Sequence, residues 1–115
     1  MIDEFSTSTR PITNGVVLRF VGGLDATAAP AARAAIENLV LRPGERLVVD
    51  LSGLLFCDSS GISMLLAARN AAALAQADIA LAAVPSYVLR TLALIGLHGV
   101  FATYPTLDDA AEPTT

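Results

Sequence analysis

Hydrophobic positions along the chain switch repeatedly between the two-residue alternation of strands and the three-to-four-residue spacing of helices. Residues 5–10 place Phe5, Thr7 and Thr9 on one side and small polar or charged residues on the other, which predicts a half-exposed strand. Pro11-Ile12-Thr13-Asn14-Gly15 follows, and Asn-Gly before an apolar run is a turn signal. Residues 16–21 then predict a second strand, antiparallel to the first, and Gly22-Gly23 is expected to break it. Ala28, Ala32, Ile36, Leu39 and Val40 recur at helical spacing, predicting a helix over 27–41 with Pro30 tolerated in its first turn. Arg42-Pro43-Gly44-Glu45 ends it.

The continuous apolar run at 46–51 predicts a short strand covered on both faces, followed by a loop at 52–57. From Asp58-Ser59-Ser60-Gly61 to about Gln76, Ile62, Leu65, Leu66, Arg69 and Ala73 mark an amphipathic helix. A strand is expected at 79–84. Ser86 then N-caps a helix whose buried stripe is Val88, Leu89, Leu92 and Ile95, and Gly96 stops it. Residues 100–104 predict a last strand. Thr106-Leu107-Asp108-Asp109 has capping-box spacing for a final short helix, with a frayed tail at Pro113-Thr114-Thr115.

The order β-β-α-β-α-β-α-β-α contains two strand–helix–strand units, 47–84 and 79–104, whose crossovers produce parallel neighbours. The expected fold is α/β: a mixed β-sheet with an N-terminal antiparallel hairpin and helices packed on it. At 115 residues the chain is expected to form one domain over 1–115, its ordered core spanning about 5–112. The exposed hairpin edge permits weak self-association as a homodimer.

Composition narrows the function. All seven basic residues are arginine, and against eleven acids they leave a net charge of -4, which argues against direct nucleic-acid binding. The mean hydropathy of +0.61 raises the question of a membrane span. The longest uncharged stretch, 91–107, contains Gly96, His98, Gly99 and Pro105, which excludes a spanning helix of about 20 apolar residues. Met1-Ile2-Asp3-Glu4 lacks the basic flank of a secretory signal, and the single Cys57 forms no internal disulfide. A soluble cytoplasmic protein with no membrane partner is expected.

Catalytic chemistry is thinly supplied. His98 is the one histidine, and Ser59-Ser60-Gly61 is not a nucleophile elbow. One cysteine and one histidine make no zinc site, and no glycine-rich phosphate loop occurs, so no enzyme activity, metal or cofactor is expected. Cys57, beside Asp58 rather than a positive charge, reads as a small buried hydrophobe. Asp58-Ser59-Ser60-Gly61 stands out, because it carries two hydroxyls and a carboxylate where a buried strand passes into a helix, the edge at which open α/β sheets meet ligands. A helix cap needs only one such residue, so cap and functional site remain balanced on the residues alone.

The run Val48-Val49-Asp50-Leu51-Ser52-Gly53-Leu54-Leu55-Phe56-Cys57-Asp58-Ser59-Ser60-Gly61-Ile62 resembles the signature of the STAS domain, the fold of bacterial anti-sigma-factor antagonists. Gly22-Gly23-Leu24-Asp25 is similar to the family's Gly-Glu-Leu-Asp, and Leu94-Ile95-Gly96-Leu97 through Phe101 resembles a later segment. Gly23 replaces the usual acid, so any role of that acid is absent.

The resemblance implies a phosphorylatable binding protein. Its unphosphorylated form would bind an anti-sigma factor, itself often a serine kinase, and release the sigma factor in a stress response. Phosphorylation would abolish binding, and a serine phosphatase would restore it. The implied acceptor is Ser59, with Ser60 as runner-up. Asp25, Asp58, Ser60 and Gly61 are the implied partner-binding residues; the helix face beyond them, with Ser63, Met64 and Arg69, is expected to extend that surface, with core the equal alternative for Met64 and plain solvent exposure the alternative for Arg69. The alternative is a STAS scaffold domain of a stress-signalling or transporter-associated complex with no phosphorylation cycle.

Overall fold

The structure, a computed structural model, describes residues 4–112. Nine elements follow in the expected order: β1 Ser6–Ile12, β2 Gly15–Leu24, α1 Ala29–Glu37, β3 Arg46–Cys57, α2 Ser59–Leu74, β4 Asp78–Ala82, α3 Ser86–Leu94, β5 Ala102–Tyr104 and α4 Leu107–Ala111. They build one five-stranded sheet in the order β1-β2-β3-β4-β5. The β1–β2 hairpin is antiparallel and every other pairing is parallel. The expected mixed α/β architecture is therefore present, with one more crossover unit, β2–α1–β3, than the pattern had revealed.

Strand alternation divides the apolar residues between two faces. Leu18, Phe20, Leu47, Val49, Leu51 and Leu81 point to one side, where Ile36 of α1, Leu65 and Ala68 of α2, and Val88 and Leu92 of α3 cover them. Val17, Val48, Ala80 and Ala82 point to the other, where Ala110 and Leu107 of α4 cover the sheet. A leucine as fully buried as Leu65 contributes about 1.5–3 kcal/mol relative to an exposed one, so most of the stability lies on the three-helix face.

Several boundaries correct the sequence reading. The hairpin turns at Thr13-Asn14, and Gly15 opens β2 opposite Ile12 rather than lying within the turn. A side chain at Gly15 (φ 152°) would overlap the Arg46 carbonyl, so the glycine is needed for a close backbone approach. Gly22-Gly23 does not break β2. The strand passes through them to Leu24, with a register shift against β3 between the two glycines.

The predicted loop at 52–57 is the second half of β3, which pairs with this extension of β2. Helix α1 is shorter than expected, and Val40, beyond its end, is 75% exposed. Ser86 lies inside α3, whose cap position is Pro85, with no side-chain cap bond. In the predicted stripe of α3, Val88 and Leu92 are buried, whereas Leu89 and Ile95 are exposed. Gly96 (φ 80°) closes that helix as expected, and Thr106 caps α4 by accepting a bond from the Asp109 amide. The tail at 113–115 lies outside the described residues.

At the edge where the parallel strands begin, Arg46 ties four elements together. Its Nε and Nη2 donate to the Asp78 carboxylate at 3.2 and 3.1 Å, and its Nη1 donates to Tyr104 Oη at 3.4 Å and to the Ala110 carbonyl at 3.1 Å. The guanidinium also lies 5.6 Å from the centre of the Tyr104 ring. Hydrogen bonding to Asp78 raises the Arg46 pKa above its usual value, although partial burial opposes this.

Candidate functional site

The opposite edge, where the parallel strands end, is built differently. Leu24 of β2 and Cys57 of β3 are the last paired residues, and the Asp58 amide donates back to the Leu24 carbonyl at 3.2 Å. The chain then leaves the sheet and enters α2 at once. Asp58 is extended (φ -99°, ψ -165°), the conformation an N-cap requires. Its Oδ1 accepts from the Ser60 amide at 2.9 Å and the Gly61 amide at 3.2 Å. The carboxylate is therefore the cap, and neither serine hydroxyl is needed for it.

Ser59 is the first residue of α2 and is exposed; Ser60 is half-buried. One turn later the exposed Ser63 donates its hydroxyl to the Ser59 carbonyl at 3.1 Å, marking the same outward face. Asp25 stands beside this junction, directly after Leu24, and its Oδ1 accepts from the Ala28 amide at 3.0 Å. Asp25, Asp58, Ser59, Ser60 and Ser63 thus come from two neighbouring strand ends and one helical turn.

Gly61 and Met64 point the other way. Gly61 is buried, and a Cβ there would come within 2.6 Å of the Leu24 carbonyl and equally close to Cys57 Sγ. Its lack of a side chain lets α2 lie down on the strand ends, which corrects its expected role at the surface. Met64 is only 3% exposed and belongs to the core beneath α2, so its side chain forms no partner surface. Of the two places the sequence left open for it, the structure shows the core; the pattern did not choose because α2 is apolar on most of its circumference.

Cys57 lies under the same turn. Burial first, and the nearby Asp58 charge second, push its thiol up to about 11, which keeps it protonated and unreactive near neutrality. Burial likewise raises Tyr87 at the start of α3, with Cys57 the lesser cause, and the buried Tyr87 hydroxyl has no hydrogen-bond partner among the described residues. His98 is exposed in a turn. Among the described residues no group of three His, Cys, Asp or Glu side chains could hold a metal ion. None of the described helices is long and apolar enough to cross a membrane.

The sequence reading did not anticipate Leu55 and Phe56, which stand 58% and 49% exposed at the end of β3. Assigned to a loop, they had no face to occupy. The available signal was a pair of bulky apolar residues directly before a polar helix start.

A family model, the STAS domain, matches residues 7–110. Among solved structures, an anti-sigma factor antagonist from Mycobacterium paratuberculosis is 28% identical, with a TM-score of 0.77 over 93% of this chain and 91% of that one. The phosphorylated form of the Bacillus cell fate determinant SpoIIAA is 22% identical, with a TM-score of 0.67 over 91% and 96%. The STAS domain of a SulP transporter from Vibrio cholerae is 19% identical, with a TM-score of 0.58 over 79% and 76%. The last two likenesses are of fold. No curated protein gives a significant match.

Proposed function

This chain belongs to the STAS domain family, and from that premise we propose that it is an anti-sigma-factor antagonist switched by phosphorylation of Ser59. Its unphosphorylated form binds an anti-sigma factor that is a serine kinase, which frees the sigma factor for transcription in a stress response. Phosphate on Ser59 abolishes that binding, and a serine phosphatase restores it. The protein acts by binding rather than by catalysis, and it works in the cytoplasm without cofactor or metal. The 28% identical antagonist supports the class of partner.

One observation carries the reading: the Asp58 carboxylate supplies the cap of α2, which leaves the exposed Ser59 hydroxyl free of any structural duty there. A phosphoserine adds about -1.5 to -2 charges. At the N-terminus of a sixteen-residue helix the backbone dipole favours that charge by roughly 0.3–1 kcal/mol, so the fold tolerates it. A partner packed over a neutral hydroxyl does not, because a desolvated, unpaired charge costs several kcal/mol. Even about 3 kcal/mol is more than a hundredfold in affinity.

The test is to incubate the protein with anti-sigma-factor kinases and ATP, map the phosphate by mass spectrometry, and measure binding by calorimetry. Label at Ser59 that disappears in Ser59→Ala, with Ser59→Ala still bound and Ser59→Asp weakened more than a hundredfold, is the expected result. Label confined to Ser60 moves the switch by one residue. Equal binding of both variants would sink the switch and favour a scaffold, the role suggested by the likeness to a transporter's STAS domain.

A further inference from the structure

Beside the Ser59 junction, on its β1 and α1 side, lies a cleft of about 620 Å³. Phe5, Ala28, Ala31, Leu55 and Phe56 line it, and its charged lining residues, Glu4 and Asp25, are both acidic. Its shape depends on one register pair. Gly23 and Phe56 face each other across β2 and β3, and a Cβ on Gly23 would overlap the Phe56 ring. The ring therefore rests on bare backbone, roughly half exposed, with Leu55 still more exposed beside it. The next register pair is Leu24 and Cys57, from which the chain passes directly to Asp58 and Ser59. The apolar floor and acidic rim thus lie one register pair from the Asp58-Ser59 junction.

We propose that this cleft is a docking pocket for a partner segment that presents a bulky apolar side chain flanked by arginine or lysine, and that the Gly23–Phe56 pair sets the choice of partner. The inference rests on the Ser59 reading only in taking the same partner to span both places. The apolar side chain supplies the desolvated anchor, the kind of contact that dominates interface energies. The basic flanks meet Glu4 and Asp25, which steers encounter and disfavours acidic competitors. A longer residue at position 23 displaces the ring and closes the pocket, so Gly23 excludes partners built for an occupied site.

The first test is amide NMR titration of the whole protein with a synthetic peptide carrying leucine between arginines. Glutamate-flanked leucine and arginine-flanked serine peptides serve as controls. Shifts confined to Gly23, Ala28, Ala31 and Leu55 with the first peptide alone are expected, weakened about tenfold by Leu55→Ser and by Gly23→Ala. Leu55 is exposed, so its replacement leaves folding intact. Equal shifts with the acidic control, shifts elsewhere, or shifts that follow protein concentration without peptide (a second copy as occupant) overturn the proposal.

A second arm separates the two readings. With a kinase that labels Ser59, Leu55→Ser is expected to raise KM for this protein about tenfold at unchanged kcat. An unchanged KM with Ser59 still labelled removes the pocket and keeps the switch. A peptide that seats in the cleft while no kinase labels Ser59 keeps the pocket and removes the switch.

Discussion

The two ends of the parallel strands show opposite uses of polar groups. At the starting end, Arg46 spends its donors inside the molecule, on Asp78, Tyr104 and the last turn of α4. At the finishing end, a single carboxylate, Asp58, satisfies the helix amides, while the Ser59 hydroxyl and the Leu55 and Phe56 side chains face outward. One edge is closed by its own contacts and the other leaves polar and apolar side chains exposed. The two edges share only β3, which starts at Arg46 and runs out at Cys57, so one strand carries both kinds of end. Substitutions at the first should be read in stability, and at the second in binding.

The largest expected effect concerns what lies under the open end. With its thiol pushed up to about 11, Cys57 should react with a thiol reagent at pH 8 about a hundredfold more slowly than an ordinary cysteine, as followed by absorbance. The sign for stability follows from linkage. Above pH 9 the unfolded thiol loses its proton before the folded one, so stability falls as pH rises from 9 toward 11, and Cys57→Ala should abolish that component of alkaline loss in urea titrations.

Next is the closed end. Arg46→Ala removes two charged hydrogen-bond partnerships and the tie to α4, and should lower unfolding free energy by about 2–3 kcal/mol in urea denaturation. A loss at Arg46 no larger than at Asp58 would erase the contrast between the ends. Asp58→Ala, which removes the cap of α2, should cost about 1 kcal/mol by the same measurement.

The smallest stability change is expected at the residue proposed to matter most for binding. Ser59→Asp should shift unfolding free energy by less than about 0.5 kcal/mol. A large destabilisation there would mean that the hydroxyl serves the fold.

The sequence made the order of elements legible, along with two of the three parallel crossovers and the polar junction at 58–61, because each is written in local periodicity and cap chemistry. The last three residues of β2 and the second half of β3 were not legible. Gly22-Gly23 looks like a strand end in isolation, and continues as strand only because β3 lies alongside with a shifted register. The predicted loop at 52–57 is strand for the same reciprocal reason. The junction itself was readable, but which of its residues face outward was not. Met64 and Gly61 are separated from Ser59 and Ser63 by helix rotation and by contact with Leu24 and Cys57, which requires knowing where α2 lies. The Phe56 position depends on the absence of a side chain on another strand, and a one-dimensional pattern carries no sign of that.

The sheet's spatial order repeats its order along the chain, β1 to β5 without a skip. A ribosome releasing this polypeptide therefore never delivers a strand before the neighbour it must join. Each new strand finds a ready template, and β3, β4 and β5 each follow directly on the helix that crosses over to them. The Arg46 clasp is completed only when Ala110 arrives, after all five strands of the sheet, so the sheet is laid down in sequence and fastened afterwards.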